Sequence, residues 1–201
     1  MSNTRAMRIC FLGDSFISGA FDAECLGWAG RICAAARKRG HDVSPYNLGI
    51  RGESSAQLAA RWHNEASLRH TALQEVRLVF EFGMNDVREV DGKPQLEESQ
   101  SLAAARSLLA KASQWKPTLM VGPPPVNDEP RNTRVKSVSA KFAELCRELD
   151  VPYFDSYTAL RESGVWLRDI TEVDGTHPSA IGYAEWARLI GTWPAWRDWV
   201  P

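Results

Sequence analysis

Short apolar runs alternate along this chain with longer segments of helical periodicity. Residues 8–12 (RICFL) are β-prone and run into Gly13-Asp14-Ser15, as a strand entering a turn would. Residues 28–39 carry helical spacing up to Gly40, a natural helix stop. A second strand is predicted over 43–49, and Ser54 or Ser55 then caps a helix over 56–68. Residues 76–82 (VRLVFEF) form the clearest strand, closed by Gly83. An alanine-rich stretch with Leu102, Leu108 and Leu109 predicts a helix over 96–115. Residues 118–121 read as a strand stopped by Gly122 and three prolines. A helix over 133–149 would place Val135, Val138, Phe142, Leu145 and Cys146 or Leu149 on one face. A short fifth strand over 151–154 and a last helix over 179–190 complete the pattern.

Five strands separated by helices imply right-handed crossovers and a parallel sheet covered on both faces, an α/β fold. Ligands of such sheets bind beyond the carboxyl ends of the strands. The chain has 201 residues, no repeat and no interdomain linker, so one domain over 1–201 is expected. Segments 84–94, 122–132 and 160–173 read as the loops that shape a pocket, the proline-rich 122–132 as its stiff wall.

Charge and composition narrow the function. Lys plus Arg number 24 against 25 Asp plus Glu, a net charge of −1. That balance argues against nucleic-acid or anionic-membrane binding, which draw on a basic surplus. No apolar stretch reaches the ~20 residues of a membrane span, and no signal-peptide pattern opens the sequence. A cytoplasmic location is therefore expected. Cys10, Cys25, Cys33 and Cys146 lack metal-ligand or redox spacing and read as reduced, buried thiols. Four of the eight tryptophans, Trp186, Trp193, Trp196 and Trp199, crowd the C-terminus. They read as core packing that supports the preceding loop, with a homodimer contact as the alternative and a sugar-stacking platform disfavoured.

The small polar residues carry the chemistry. Asp14 and Ser15 follow the first strand, Gly49, Gly52 and Ser54 the second, and Gly83, Asn85 and Asp86 the third. A fourth group, Asp174-Gly-Thr-His177-Pro, precedes the last helix. Each could be a turn or a cap taken alone. Together they supply what acyl transfer needs. Ser15 is the candidate nucleophile, His177 its general base, and Asp174 the carboxylate that orients the imidazole. Gly52 N–H, Asn85 and Ser15 N–H form a candidate oxyanion hole. Asp14 and Asp86 read as supports that tie down their loops by accepting backbone hydrogen bonds. With no histidine cluster beside them, neither metal nor cofactor is expected.

The blocks GDSF, NLGIRGESS, GMND and DGTHP, in this order, resemble those of the SGNH hydrolases, the GDSL-type lipases and esterases. The resemblance implies a three-layer α/β/α, flavodoxin-like fold with five parallel strands. It also implies metal-free ester or thioester hydrolysis through an acyl-enzyme on Ser15. Phe16 replaces the leucine of the family name, at a position that packs rather than reacts. The implied partner is a small acyl ester, with Arg51 and Met84 as candidate substrate contacts. Arg51 reads either as a receptor for a substrate carboxylate or phosphate, or as a solvated loop residue. A non-catalytic binding module on the same scaffold is the main alternative, and a nucleotide-binding or receiver-like domain a weaker one.

Overall fold

The computed structural model describes residues 6–70 and 75–201. Strand β1 (Met7–Gly13) leads into the one-turn helix α1 (Ser15–Ser18) and then α2 (Gly27–Lys38). Strand β2 (Val43–Gly49), helix α3 (Ser55–Ser67) and strand β3 (Glu75–Glu81) follow. A small hairpin, β4 (Glu89–Val90) and β5 (Lys93–Pro94), precedes α4 (Glu98–Trp115) and β6 (Thr118–Val121). Helix α5 (Glu129–Glu148) and strand β7 (Tyr153–Phe154) come next. Helices α6 (Ser156–Arg161), α7 (Gly164–Val173), α8 (Ala180–Thr192) and α9 (Pro194–Trp199) close the chain.

The main sheet has the order β2-β1-β3-β6-β7, every pair parallel. From β1 the chain steps to one side, to β2, and then crosses back to β3 on the other. Right-handed crossovers in opposite directions must put their helices on opposite faces. Accordingly α2 packs on α8, whereas α3 packs on α4 and α4 on α5. The reversal opens a crevice at the carboxyl ends of β1 and β3, where this class of sheet binds ligands. Covered on both faces, β1 needs no alternation: Ile9, Cys10, Phe11 and Leu12 are all fully buried. Burying a Phe or Leu side chain of this kind contributes about 1.5–3 kcal/mol.

The three-layer α/β architecture matches the expectation, and several boundaries move for local reasons. Asp128 accepts from Arg131 N and starts α5 at Glu129, with Pro130 in the first turn, four residues ahead of the predicted start. The fifth strand shrinks to two residues, because Pro152 has no N–H to donate and contributes only its carbonyl, to Met120 N. Segment 160–173, expected as a loop, is largely helical. Ser163 caps α7 and buries Trp166 and Ile170 at i, i+4 spacing. Segment 84–94 contains the β4–β5 hairpin. Cys25, expected buried, is exposed, whereas Cys10, Cys33 and Cys146 lie in the interior.

The C-terminal tryptophans turn inward. Trp186 is fully buried between Phe16, Trp28 and Trp166, with centroids 5.8, 5.5 and 5.4 Å away, and its indole N–H donates to Ser156 Oγ. Trp196 is buried, Trp193 packs on Phe154, and Trp199 lies under the Arg77 guanidinium. Among the described residues, no helix is long and apolar enough to cross a membrane.

Candidate active site

Ser15 is the first residue of α1, directly beyond β1. Asp14 caps that turn by accepting from Phe16 N at 2.9 Å, which fixes the backbone on either side of the serine. The strand ends approach so closely here that a Cβ on Gly13 would lie 1.9 Å from Glu81 O. Only glycine fits, so Ser15 comes to rest at the crevice between β1 and β3.

Helix α7 ends at Asp174, and Gly175 turns the chain. Asp174 Oδ1 accepts from Thr176 N at 2.8 Å and His177 N at 2.6 Å, so the carboxylate organises the loop that carries the histidine. Its second oxygen meets His177 Nδ1 at 2.9 Å, and His177 Nε2 lies 2.9 Å from Ser15 Oγ. Burial raises the pKa of Asp174, but the bonds from His177 and Thr176 outweigh it, and the carboxyl sits below its ordinary value. Two rings steady the imidazole, Phe16 at 5.1 Å and Phe21 at 5.3 Å between centroids. The loop is pinned behind by Asn127 N donating to Gly175 O at 2.7 Å. In front, Asp169 accepts from Ser179 N, Ser179 Oγ and Gly182 N at the start of α8.

The remaining predicted residues converge on the same place. Ser15, Arg51, Gly52, Met84, Asn85 and His177 all line one cleft of about 350 Å³. Gly52 has a positive φ of 79° and open space where a Cβ would be, so conformation and not crowding demands glycine. Its loop is held by Arg61, which binds both Glu53 oxygens at 2.6 Å and Leu48 O at 2.8 Å. Asn85 Nδ2 donates to Asp14 Oδ2 at 2.8 Å and to Glu53 O at 3.0 Å, joining the loops after β1, β2 and β3. Asp86 points away from the cleft, accepting from Ser55 N at 2.8 Å and Ser101 Oγ at 2.5 Å. It thereby fastens the Asn85 loop to α3 and α4.

One residue of the site carried no readable signal, and three others were reached only as members of the segments 84–94, 122–132 and 174–178. Glu81, the last residue of β3, is fully buried, and no protein donor reaches either of its oxygens. Its neighbour is the Asp14 carboxyl, and burial pushes Asp14 up to about 7 and Glu81 well above the usual range. Two carboxylates cannot share such a space, so Glu81 keeps its proton and offers it to Asp14. Arg88, Arg131 and Thr176 also line the cleft. The prolines of the 122–132 segment do not, contrary to the expected wall. Pro123, Pro124 and Pro125 are buried behind it, where Pro125 O accepts from Trp166 Nε1, Pro130 is exposed, and the lining residue is Arg131 from the first turn of α5.

No curated protein matches the chain by sequence. Among solved structures, an acetylxylan esterase from Geobacillus stearothermophilus superposes with a TM-score of 0.77 at 17% identity, covering 97% of this chain and 98% of that one. The lipase/acylhydrolase from Enterococcus faecalis gives 0.77 at 21% identity, covering 95% and 96%. Both share the fold. The model of the GDSL-like lipase/acylhydrolase family matches residues 11–185, a span that includes the ends of β1, β2 and β3 and the His177 loop. This chain belongs to the GDSL-like lipase/acylhydrolase family and is a carboxylic ester hydrolase.

Proposed function

We propose that this hydrolase cleaves small acyl esters through a covalent acyl-enzyme on Ser15, with His177 as base and Asp174 as its orienter. The observation that carries the reading is the unbroken line from Ser15 Oγ to His177 Nε2 and from Nδ1 to Asp174 Oδ2, each step 2.9 Å. The Asp174 carboxylate accepts a hydrogen bond from Nδ1–H, which holds the proton on Nδ1 and leaves Nε2 with a lone pair toward the hydroxyl. As Ser15 Oγ bonds to the acyl carbon, its proton passes to Nε2 and the carbonyl electron pair moves onto oxygen. The imidazolium then gives that proton to the departing alkoxide or thiolate, and the bond to the leaving group breaks. Water attacks the acyl-Ser15 ester by the same route in reverse, losing a proton to Nε2. Collapse returns the proton to Ser15 Oγ and releases the acid.

The developing oxyanion would be met by the N–H groups of Ser15 and Gly52 and by Asn85 Nδ2. Among the described residues, neither amide is a donor in the turn and loop hydrogen bonds around the site. Asn85 already serves Asp14 and Glu53 O, so its hydrogens must be shared with the oxyanion in a three-centre arrangement. Their prior alignment is what an oxyanion donor requires. A cleft of about 350 Å³ is at the lower end for ligand sites and favours short acyl groups, in keeping with an acetylxylan esterase among the structural neighbours. The test is hydrolysis of p-nitrophenyl acetate. Wild type should turn it over, and Ser15→Ala should lose on the order of 10⁴-fold or more in kcat. Equal rates would refute the assignment.

A further inference from the structure

The cleft is strongly cationic in a protein whose net charge is −1. Of the residues lining it, three are arginines, Arg51, Arg88 and Arg131, and none is Asp or Glu. Among the described residues, none of the three is ion-paired, whereas the guanidinium groups of Arg31 and Arg61 are each matched by two carboxylates. Their contacts are long and neutral. Arg131 reaches Thr176 Oγ1 at 3.5 Å and Met84 O at 3.4 Å, and its buried Nε has no acceptor. Arg88 reaches Gln95 Oε1 at 3.5 Å. Arg51 lies over the Phe21 ring, 5.3 Å from its centroid, and Phe21 in turn packs on His177. Burial lowers the pKa of Arg131, and the like charge of Arg88 lowers it further. Asp128 and Asp14 act on Arg131 in the opposite sense without forming an ion pair with it: Asp128 Oδ1 caps the helix by accepting from Arg131 N, and Asp14 accepts from Phe16 N and Asn85 Nδ2.

Arg51 and Arg88 are exposed and Arg131 is half-buried, so three guanidinium groups without carboxylate partners gather around one cleft and give it a positive potential that an anion would meet. Arginine presents a planar fork that suits carboxylate and phosphate oxygens alike. We propose that the cleft takes esters bearing a carboxylate or phosphate group, held by Arg51, Arg88 and Arg131 while Ser15 attacks the acyl carbon. This rests on the hydrolase reading above and adds the substrate class to it.

The test compares matched esters by kcat/KM. On the alcohol side, p-acetoxybenzoate and p-acetoxyphenyl phosphate are set against methyl p-acetoxybenzoate. On the acyl side, mono-p-nitrophenyl adipate is set against p-nitrophenyl hexanoate. At least one anionic ester should exceed its neutral partner by about tenfold or more, with the phosphate and carboxylate arms showing which oxyanion fits. The preference should drop about tenfold in Arg131→Gln, vanish when Arg51 and Arg88 are also Gln, and fade with added salt. The distant, ion-paired Arg106 provides the control, and Arg106→Gln should keep the wild-type ratio. No anionic preference in any pair, or one that survives the triple substitution, overturns the proposal while leaving ester hydrolysis intact. Equal rates in Ser15→Ala would instead overturn the hydrolase reading. Calorimetric titration of Ser15→Ala with p-hydroxybenzoate and phenyl phosphate then judges the arginines separately. Binding that the triple substitution abolishes supports them, and absence of binding refutes them.

Discussion

Ser15 draws its position from carboxyl groups that do not line the cleft. Asp14 spends one oxygen on Phe16 N and the other on Asn85, so the serine and its proposed oxyanion donor share one anchor. Glu81 supplies the proton that lets a second buried carboxyl lie against it. Both groups bind protons more tightly in the folded chain than in the unfolded one, where they titrate near ~4. Their contribution to stability is therefore full at low pH and is lost as pH rises toward and through the folded values, about 7 for Asp14. Carboxyls with lowered values, such as Asp174, act in the opposite sense and only in the acid range. Glu81→Gln keeps the shape and replaces the shared proton with an amide N–H that does not titrate. Urea unfolding from about pH 5 to about pH 8 should show wild type losing stability relative to Glu81→Gln. Parallel curves would show that the pair does not share a proton.

Among the elements, α7 and α8 matter most to the chemistry. The His177 loop spans only the end of one helix and the start of the next, and Asp169 fixes both by accepting three hydrogen bonds at the α8 N-terminus. Asp169→Asn keeps the volume but leaves one of those donors facing an NH₂ group. A loss of about 1–3 kcal/mol follows, measurable by urea unfolding. Because the same loop carries the base, kcat for p-nitrophenyl acetate should fall with little change in KM. An unchanged kcat in the folded variant would mean the loop holds itself. The sequence pattern reached these elements unevenly. Helix α8 and strands β1 to β3 were legible because their apolar periods are long or unbroken. Helix α7 was not, since its cap Ser163 and its buried Trp166 and Ile170 fall in a short stretch with charges between them. The β4–β5 hairpin pairs only two residues on each strand, too few to leave a period.

Over the whole molecule, the parallel topology explains why widely separated short blocks could be read together. Every strand that matters points the same way, so residues following β1, β2 and β3 must meet at one edge, and the loop before α8 returns to it. Ser15, Gly52, Asn85 and His177 were legible for that reason. Arg131 was reached only as part of the 122–132 segment, and Glu81 was not reached at all. One sits in a helix first turn and the other inside a strand, where a lone charge ordinarily reads as a solvated or edge position. Only the packing of α5 and β3 reveals that the first lines the cleft and the second is buried beside Asp14. The chain's near-neutral net charge likewise conceals a local excess of three cations at the site. If Ser15 is the activated nucleophile proposed above, active-site labelling will find it. Treatment with a fluorophosphonate, read by intact mass and peptide mapping, should give a single adduct on Ser15 in wild type and none in Ser15→Ala or His177→Ala. No adduct on wild type, or one on a different residue, would show that Ser15 is not the nucleophile.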